Sequence, residues 1–217
     1  MSVTDLIRCL NLRHRVRSTR RGDALPSLIL MTDEERLADP LPAVAALPPG
    51  SAVIVRHYGD PGREELARRV VAAARPRGVR VLIAGDAALA ATVGADGLHL
   101  PEAMAALGPG PWRGWRRPRW LVTASAHSPT ALRRAALAGA DAALLAPVFP
   151  TVSHPRRPPI GGLRFALWCR QSPLPVYALG GVTAATARRL RASGAAGFAG
   201  IGGFLAAPRP GNACGGA

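Results

Sequence analysis

The chain has 217 residues, 48% of them hydrophobic but only 5% aromatic, which suits one domain with a core of small aliphatic side chains. Its net charge of +15 comes from 28 basic and 13 acidic residues, and every basic residue is arginine. No side-chain amine therefore exists for a Schiff base, and lysine-dependent aldolase chemistry is excluded. No apolar run approaches the roughly 20 residues of a membrane span. Three scattered cysteines, Cys9, Cys169 and Cys214, form neither a CxxC nor a zinc spacing. The expectation is a cytoplasmic protein in reducing surroundings that uses its positive field on anionic ligands.

Residues 1–24 carry six arginines from Arg8 to Arg21 with little apolar periodicity and no secretory h-region, so a basic tail is expected there. Eight short apolar runs that suit buried parallel strands follow: Ser27–Met31, Ala52–Arg56, Arg80–Ala84, Gly97–Leu100, Trp120–Ala124, Ala142–Ala146, Val176–Leu179 and Gly197–Ile201. Helical patterns lie between them. In Arg63–Ala74 the apolar residues Leu66, Val70 and Ala74 recur at i, i+4, i+8. Pro129–Ala138 and Ala184–Ala192 follow the N-cap candidates Ser128 and Thr183. Helices after the third and fourth strands are expected to be short. Eight strand–helix repeats within 25–207 predict a single (β/α)8 barrel, and no GxGxxG follows the first strand to favour a doubly wound sheet. The Gly- and Pro-rich stretch 208–217 is expected to be a second tail.

In such a barrel the working residues lie at the C-terminal strand ends, and phosphate often binds after strands seven and eight. Strand seven ends in Leu179-Gly180-Gly181-Val182-Thr183, and strand eight in Gly200-Ile201-Gly202-Gly203. Paired glycines let backbone N–H groups approach an anion. The loop after strand six carries Thr151, Ser153 and His154 beside Arg156 and Arg157, a set able to hold a pyrophosphate. Strand five leads to Ser125-Ala126-His127, where His127 binds a ligand, acts as acid or base, or fixes the loop. Asp96 and His99 are read as structural. Trp112, Trp115 and Trp120 alternate with Arg113, Arg116, Arg117 and Arg119, as in single-strand nucleic-acid binders. That cluster directly precedes a predicted strand, so it is read as packing on the outside of the barrel, and nucleic acid is not taken as the partner.

In chain order the motifs MTD at 31–33, VRHYG at 55–59, GDAALAATVGADGLHL at 85–100, SAH at 125–127, GADAALLAPVFPTVSHP at 139–155 and ALGGVTAATARRLRASGAAGFAGIGGF at 178–204 resemble the thiamine phosphate synthase/TenI family from about Leu28 to Leu205. The resemblance implies a barrel that joins an aminopyrimidine diphosphate to a thiazole phosphate, with pyrophosphate leaving first and the thiazole nitrogen capturing the pyrimidine cation. It implies Arg56, Ser125 and His154 as catalytic positions. It implies Arg56, Thr151, Ser153 and Gly181 as substrate- and phosphate-binding positions, to which the strand-end reading adds His127, Gly180, Gly202 and Gly203. It also implies Mg2+ held by Asp86, with Glu102 as a helper. The chain departs from the family pattern at several points. Gly85-Asp86 replaces an Asn-Asp pair, and Met104 stands where a second Mg2+ carboxylate is usual. His154 and Tyr58 replace lysines, Gly202 replaces a serine, and Pro147 replaces the tautomerase histidine. A diverged synthase, a TenI-like thiazole tautomerase and a non-catalytic binder of phosphorylated thiamine intermediates all fit. A homo-oligomer is compatible with any of them.

Overall fold

The computed structural model describes residues 24–151 and 158–201. The expected tails, 1–24 and 208–217, lie outside them except for Ala24, as do Ser153, His154, Gly202 and Gly203.

Eight parallel strands follow one another around a closed barrel: β1 (Leu28–Met31), β2 (Ala52–Val55), β3 (Arg80–Ala84), β4 (Gly97–Leu100), β5 (Leu121–Ala126), β6 (Ala142–Leu145), β7 (Val176–Leu179) and β8 (Gly197–Gly200). Closure is direct, since Ile29 of β1 pairs with Ala52 of β2 on one side and Ala199 of β8 on the other. The helices are α1 (Leu41–Ala45), α2 (Arg63–Ala74), α3 (Ala87–Thr92), α4 (Glu102–Ala106), α5 (Gly110–Arg113), α6 (Pro129–Leu137), α7 (Gly162–Gln171) and α8 (Ala184–Ala187). The bounds of α2 coincide with the periodic segment, because its apolar stripe (Leu66, Ala67, Val70, Val71, Ala74) is buried against the barrel. Ser128 and Thr183 do cap: each hydroxyl accepts an amide N–H three residues on. Helix α8 is shorter than its pattern, passing into a 3-10 turn at Arg188–Leu190.

Alternate strand residues separate two cores. Ile29, Met31, Ile54, Leu82, Ala84, Leu121, Leu144 and Tyr177 fill the barrel interior. The residues between them, such as Leu30, Val53, Val55, Ile83 and Val122, pack under the helices. The interior is not uniformly apolar. His99, Thr123 and Ser125 lie on its β4–β5 side, where His99 pairs in register with Thr123. Strand β5 runs two residues past its expected end, which places Ser125 in the strand itself.

The N-terminal strand ends are closed by a repeated device. Gly94-Ala95-Asp96 and Gly139-Ala140-Asp141 each follow a helix, with the glycine at positive φ. The Asp96 carboxylate accepts from the Val81 amide, and the buried Asp141 carboxylate from the Val122 amide, both at 2.8 Å. The distinctive GAD segments thus satisfy strand-end amides. The Trp/Arg cluster belongs to this same face. Trp112 and Trp120 are buried, and Arg116 sits 3.6 Å from Asp141 and donates to the Gly139 carbonyl. A groove of about 630 Å³ between Arg113, Arg117 and Leu137 opens there, at the end of the barrel opposite the strand C-termini.

Candidate active site

At the other end, a cavity of about 260 Å³ is walled by Met31, Arg56, Tyr58, His99, Pro101, Glu102, Ser125, His127, Ala146, Pro147, Thr151, Leu179, Gly180 and Ile201. It draws on the C-terminal ends of seven of the eight strands, from β1 through Met31 to β8 through Ile201. Among the sequence-derived candidates, Arg56, Glu102, Ser125, His127, Thr151 and Gly180 converge on it. Gly181 lies beside it behind the β6 loop, and Asp86 does not line it.

Arg56 leaves β2 through a turn in which the buried His57 takes φ +23. The buried Thr32 hydroxyl holds this turn. It accepts the Arg56 amide at 2.9 Å and hydrogen-bonds His57 Nδ1 at 2.8 Å. Asp33 is the nearest carboxylate to Arg56, but Arg36 satisfies it with its amide, Nε and Nη2 at 2.8–3.2 Å, whereas Arg56 stands 3.6 Å away. At that distance the contact is not a hydrogen bond; the Arg56 guanidinium hydrogen-bonds the Tyr58 side chain instead. The contacts to Asp33, Arg36 first, hold its carboxyl below its ordinary range against the opposing cost of burial.

The two family departures near β3 prove to be spatial neighbours. The Gly85 α-carbon faces the Tyr58 ring, and a side chain there would meet Tyr58 Cε1 at 3.3 Å. Gly85 also has φ +72, which a branched or bulky residue resists. The Tyr58 ring occupies the room an asparagine would need. Arg63 stacks over Tyr58 at 5.1 Å and donates to the Ala84 carbonyl, which places a second cation near the end of β3. Sequence reasoning missed Arg63; its position at the start of α2, five residues past Tyr58, was the available signal.

His99, read from the sequence as structural, is buried between β4 and β5. It lines the cavity while Nδ1 contacts Thr123 Oγ1 and Nε2 contacts Ser125 Oγ, both at 2.9 Å. Burial, with a further push from Arg56, lowers its pKa to about 3. The ring is therefore neutral near pH 7 and orients the Ser125 hydroxyl without adding charge. His127, just past the end of β5, meets Glu102 at the start of α4, with Nδ1 to Oε2 at 2.5 Å. The two are 25 residues apart, and no local spacing announces the pair.

The implied metal finds little here. Asp86 caps α3, its Oδ1 accepting the Leu89 amide at 2.8 Å, and Glu102 is engaged by His127. Among the described residues no three His, Cys, Asp or Glu side chains are grouped as metal ligands. The protein side chains do not by themselves make the oxygen-rich, near-octahedral shell that Mg2+ wants. The capping role of Asp86 was readable, since an Asp directly before the Ala-rich run 87–92 is an N-cap signal.

At the end of β7, Gly180 (φ +87) and Gly181 (φ +64) turn the chain out of the strand. A β-carbon on Gly181 would lie 2.4 Å from the Pro150 carbonyl and 2.7 Å from Phe149 Cβ, so this glycine lets the β6 loop close against β7. Val148 and Phe149 donate back to the carbonyls of Leu179 and Gly180. The Gly180 and Gly181 amides have no partner among the described residues. Helix α8 beyond them spends its first amides on a Thr183–Thr186 capping box.

The architecture is that of a (β/α)8 barrel whose C-terminal mouth gathers Arg56, Ser125, Thr151 and the Gly180 turn around one cavity. The chain belongs to the thiamine monophosphate synthase family, whose model matches residues 28–204. It is 28% identical over 212 residues to the thiamine-phosphate synthase of Bacillus velezensis, covering 90% of each chain. It is 31% identical over 147 residues to that of Thermus thermophilus, covering 67% of this chain and 69% of the relative. The thiamine phosphate pyrophosphorylase structure from Pyrococcus furiosus shares the fold, with a TM-score of 0.65, 24% identity, and coverage of 82% of this chain and 86% of that one. Among the described residues no helix is long and apolar enough to cross a membrane.

Proposed function

We propose that the protein is a transferase that couples hydroxymethylpyrimidine diphosphate to thiazole phosphate, releasing thiamine phosphate and pyrophosphate. The observation that carries the reading is the convergence of Arg56, Ser125, Thr151 and Gly180 on one cavity at the C-terminal mouth of a barrel of this family. In a dissociative coupling the C–O bond to diphosphate breaks first, so negative charge grows on the leaving group while positive charge grows on the pyrimidine. Fixed donors placed at the developing anion lower that barrier. Arg56, with the Thr151 hydroxyl, serves the diphosphate end, while the Gly180 and Gly181 amides serve the thiazole monophosphate. His99 stays neutral beside the developing pyrimidine cation, where an imidazolium would oppose it. The residues at 153, 154, 202 and 203 are assigned to the same two anion sites on their order in the chain.

Magnesium would come with the diphosphate, whose oxygens complete a shell that Asp86 and Glu102 do not. Calorimetry is expected to detect Mg2+ binding with diphosphate ligand present and little without it. The deciding experiment incubates the protein with both substrates and Mg2+ and measures thiamine phosphate and pyrophosphate. Formation of both in equal amounts supports the synthase. Binding of both substrates without product would make the protein a binder of these intermediates.

A further inference from the structure

We propose that Thr32 and His57 form a latch that positions Arg56 for the diphosphate end of the substrate. The inference rests on the coupling reading for what Arg56 binds, and it adds two positioning residues that do not themselves line the cavity. Strands β1 and β2 pair in parallel register from Ile29 to Met31, and the Thr32 amide still donates to the Ile54 carbonyl at 2.9 Å. In a ladder that continued, the Arg56 amide would donate to the Thr32 carbonyl. It donates to the Thr32 hydroxyl instead, at 2.9 Å. A side chain thus stands in for the next rung, and β2 ends at Val55. His57 then takes φ +23, the one non-glycine residue at positive φ among the described residues. A conformation of this kind persists only where the surroundings over-determine it. Here the buried imidazole supplies the hold, with Nδ1 at 2.8 Å from the same Thr32 hydroxyl. That bond serves whichever of its two atoms donates. One buried hydroxyl therefore ties both the amide before the turn and the side chain within it. At the far end of Arg56 the guanidinium hydrogen-bonds the Tyr58 side chain, so the residue is held at root and tip. Closing the strand end asks only for the Thr32 carbonyl; the hydroxyl and the left-handed histidine go beyond that, and what they direct is Arg56. An arginine ordered in advance spares the ligand the cost of ordering it.

The test is a double-mutant cycle read by calorimetry with inorganic diphosphate and with hydroxymethylpyrimidine diphosphate. Thr32→Val removes the hydroxyl with little change of shape and should weaken both ligands about tenfold, since a small misplacement of a binding group costs one to two orders of magnitude. In the Arg56→Ala background the same change should cost less than about twofold, because no guanidinium is left to position. Thiazole phosphate affinity should stay within about twofold in every variant, as expected of a site that shares no partner with the latch. Thr32→Ser restores a hydroxyl and should return diphosphate binding to within about threefold of wild type. His57→Ala should behave as Thr32→Val does. His57→Asn tolerates the left-handed turn and offers the hydroxyl a partner, so it should recover part of the loss. Wild-type diphosphate affinity in Thr32→Val overturns the inference. So does an equal cost of that change with and without Arg56, or an equal loss of thiazole phosphate binding, since either would make the pair merely structural. A wild type that binds neither diphosphate overturns the latch and the coupling reading together. One that shows the expected cycle but makes no thiamine phosphate refutes the synthase reading and leaves the latch standing. One that makes product while Thr32→Val binds diphosphate as tightly refutes the latch alone.

Discussion

The two ends of this barrel use the same small vocabulary of Gly, Asp, Arg and His, to opposite ends. At the N-terminal face the polar groups are consumed by the backbone. Asp96 and Asp141 take strand amides, Arg116 and Arg117 reach carbonyls, and the Tyr177 hydroxyl donates to the Pro26 carbonyl. At the C-terminal mouth the side chains pair with one another, as in His99–Ser125 and Glu102–His127, and leave atoms facing a cavity. A motif can therefore be distinctive for the family and still serve only closure of the barrel, as GAD does at both 94–96 and 139–141.

This contrast predicts that changes at the N-terminal face alter stability alone, whereas changes at the mouth alter binding, and three substitutions probe it. The largest effect is expected where the contrast should break. Gly181 sits at the mouth, where its amide is assigned to the monophosphate, yet the absence of a side chain there is also a packing requirement, and valine adds a left-handed backbone penalty to a collision with the β6 loop. Gly181→Val should cost more than about 3 kcal/mol of unfolding free energy in urea melts, by the sum of those two penalties. Next, Asp141→Ala should cost about 2–3 kcal/mol, because the buried Val122 amide loses its side-chain acceptor and Arg116 its counter-charge, while substrate affinities stay unchanged in calorimetry.

The smallest effect sharpens the contrast through pH. His99 has its folded pKa lowered to about 3, so the unfolded chain binds a proton that the folded chain refuses. Its contribution is complete above the unfolded value of roughly 6.5 and is lost as pH falls from there toward about 3. Stability should decline by about 1.4 kcal/mol per pH unit from this residue between roughly pH 6 and 4.5. Asp33, whose carboxyl is held below its ordinary range, is lost only at lower pH and does not enter that window. His99→Asn should flatten the slope; an equally steep slope in that variant would assign it elsewhere.

The fold was legible because each of the eight strands is a short apolar run with a helical or turn-rich stretch on either side. Where expectation and structure differ, tertiary packing decides: β5 extends to Ala126 because Ser125 and Ala126 pair with Leu144 and Leu145 of β6. Thr151 and Gly180 were pointed to by the barrel rule and Arg56 and Ser125 by the family resemblance, and all four line the cavity at the strand ends. The pairings were not. Glu102 and His127 meet across 25 residues, and Tyr58, Arg63 and Gly85 meet across a turn, a helix and a strand. Asp86, read from the family resemblance as a Mg2+ ligand, also caps a helix, which its position before an alanine run marked.

The central claim is that the C-terminal mouth performs the coupling, and a single-turnover comparison of wild type with Arg56→Ala tests it most directly. Wild type given both substrates should release one pyrophosphate per thiamine phosphate, and neither substrate alone should release any at a comparable rate. Arg56→Ala should bind the pyrimidine diphosphate about ten- to a hundredfold more weakly, the value of one charge-assisted contact to a bound anion, with thiazole phosphate binding nearly intact. Product formed at the wild-type rate and affinity in Arg56→Ala, or no product from wild type with both ligands bound, would contradict the account.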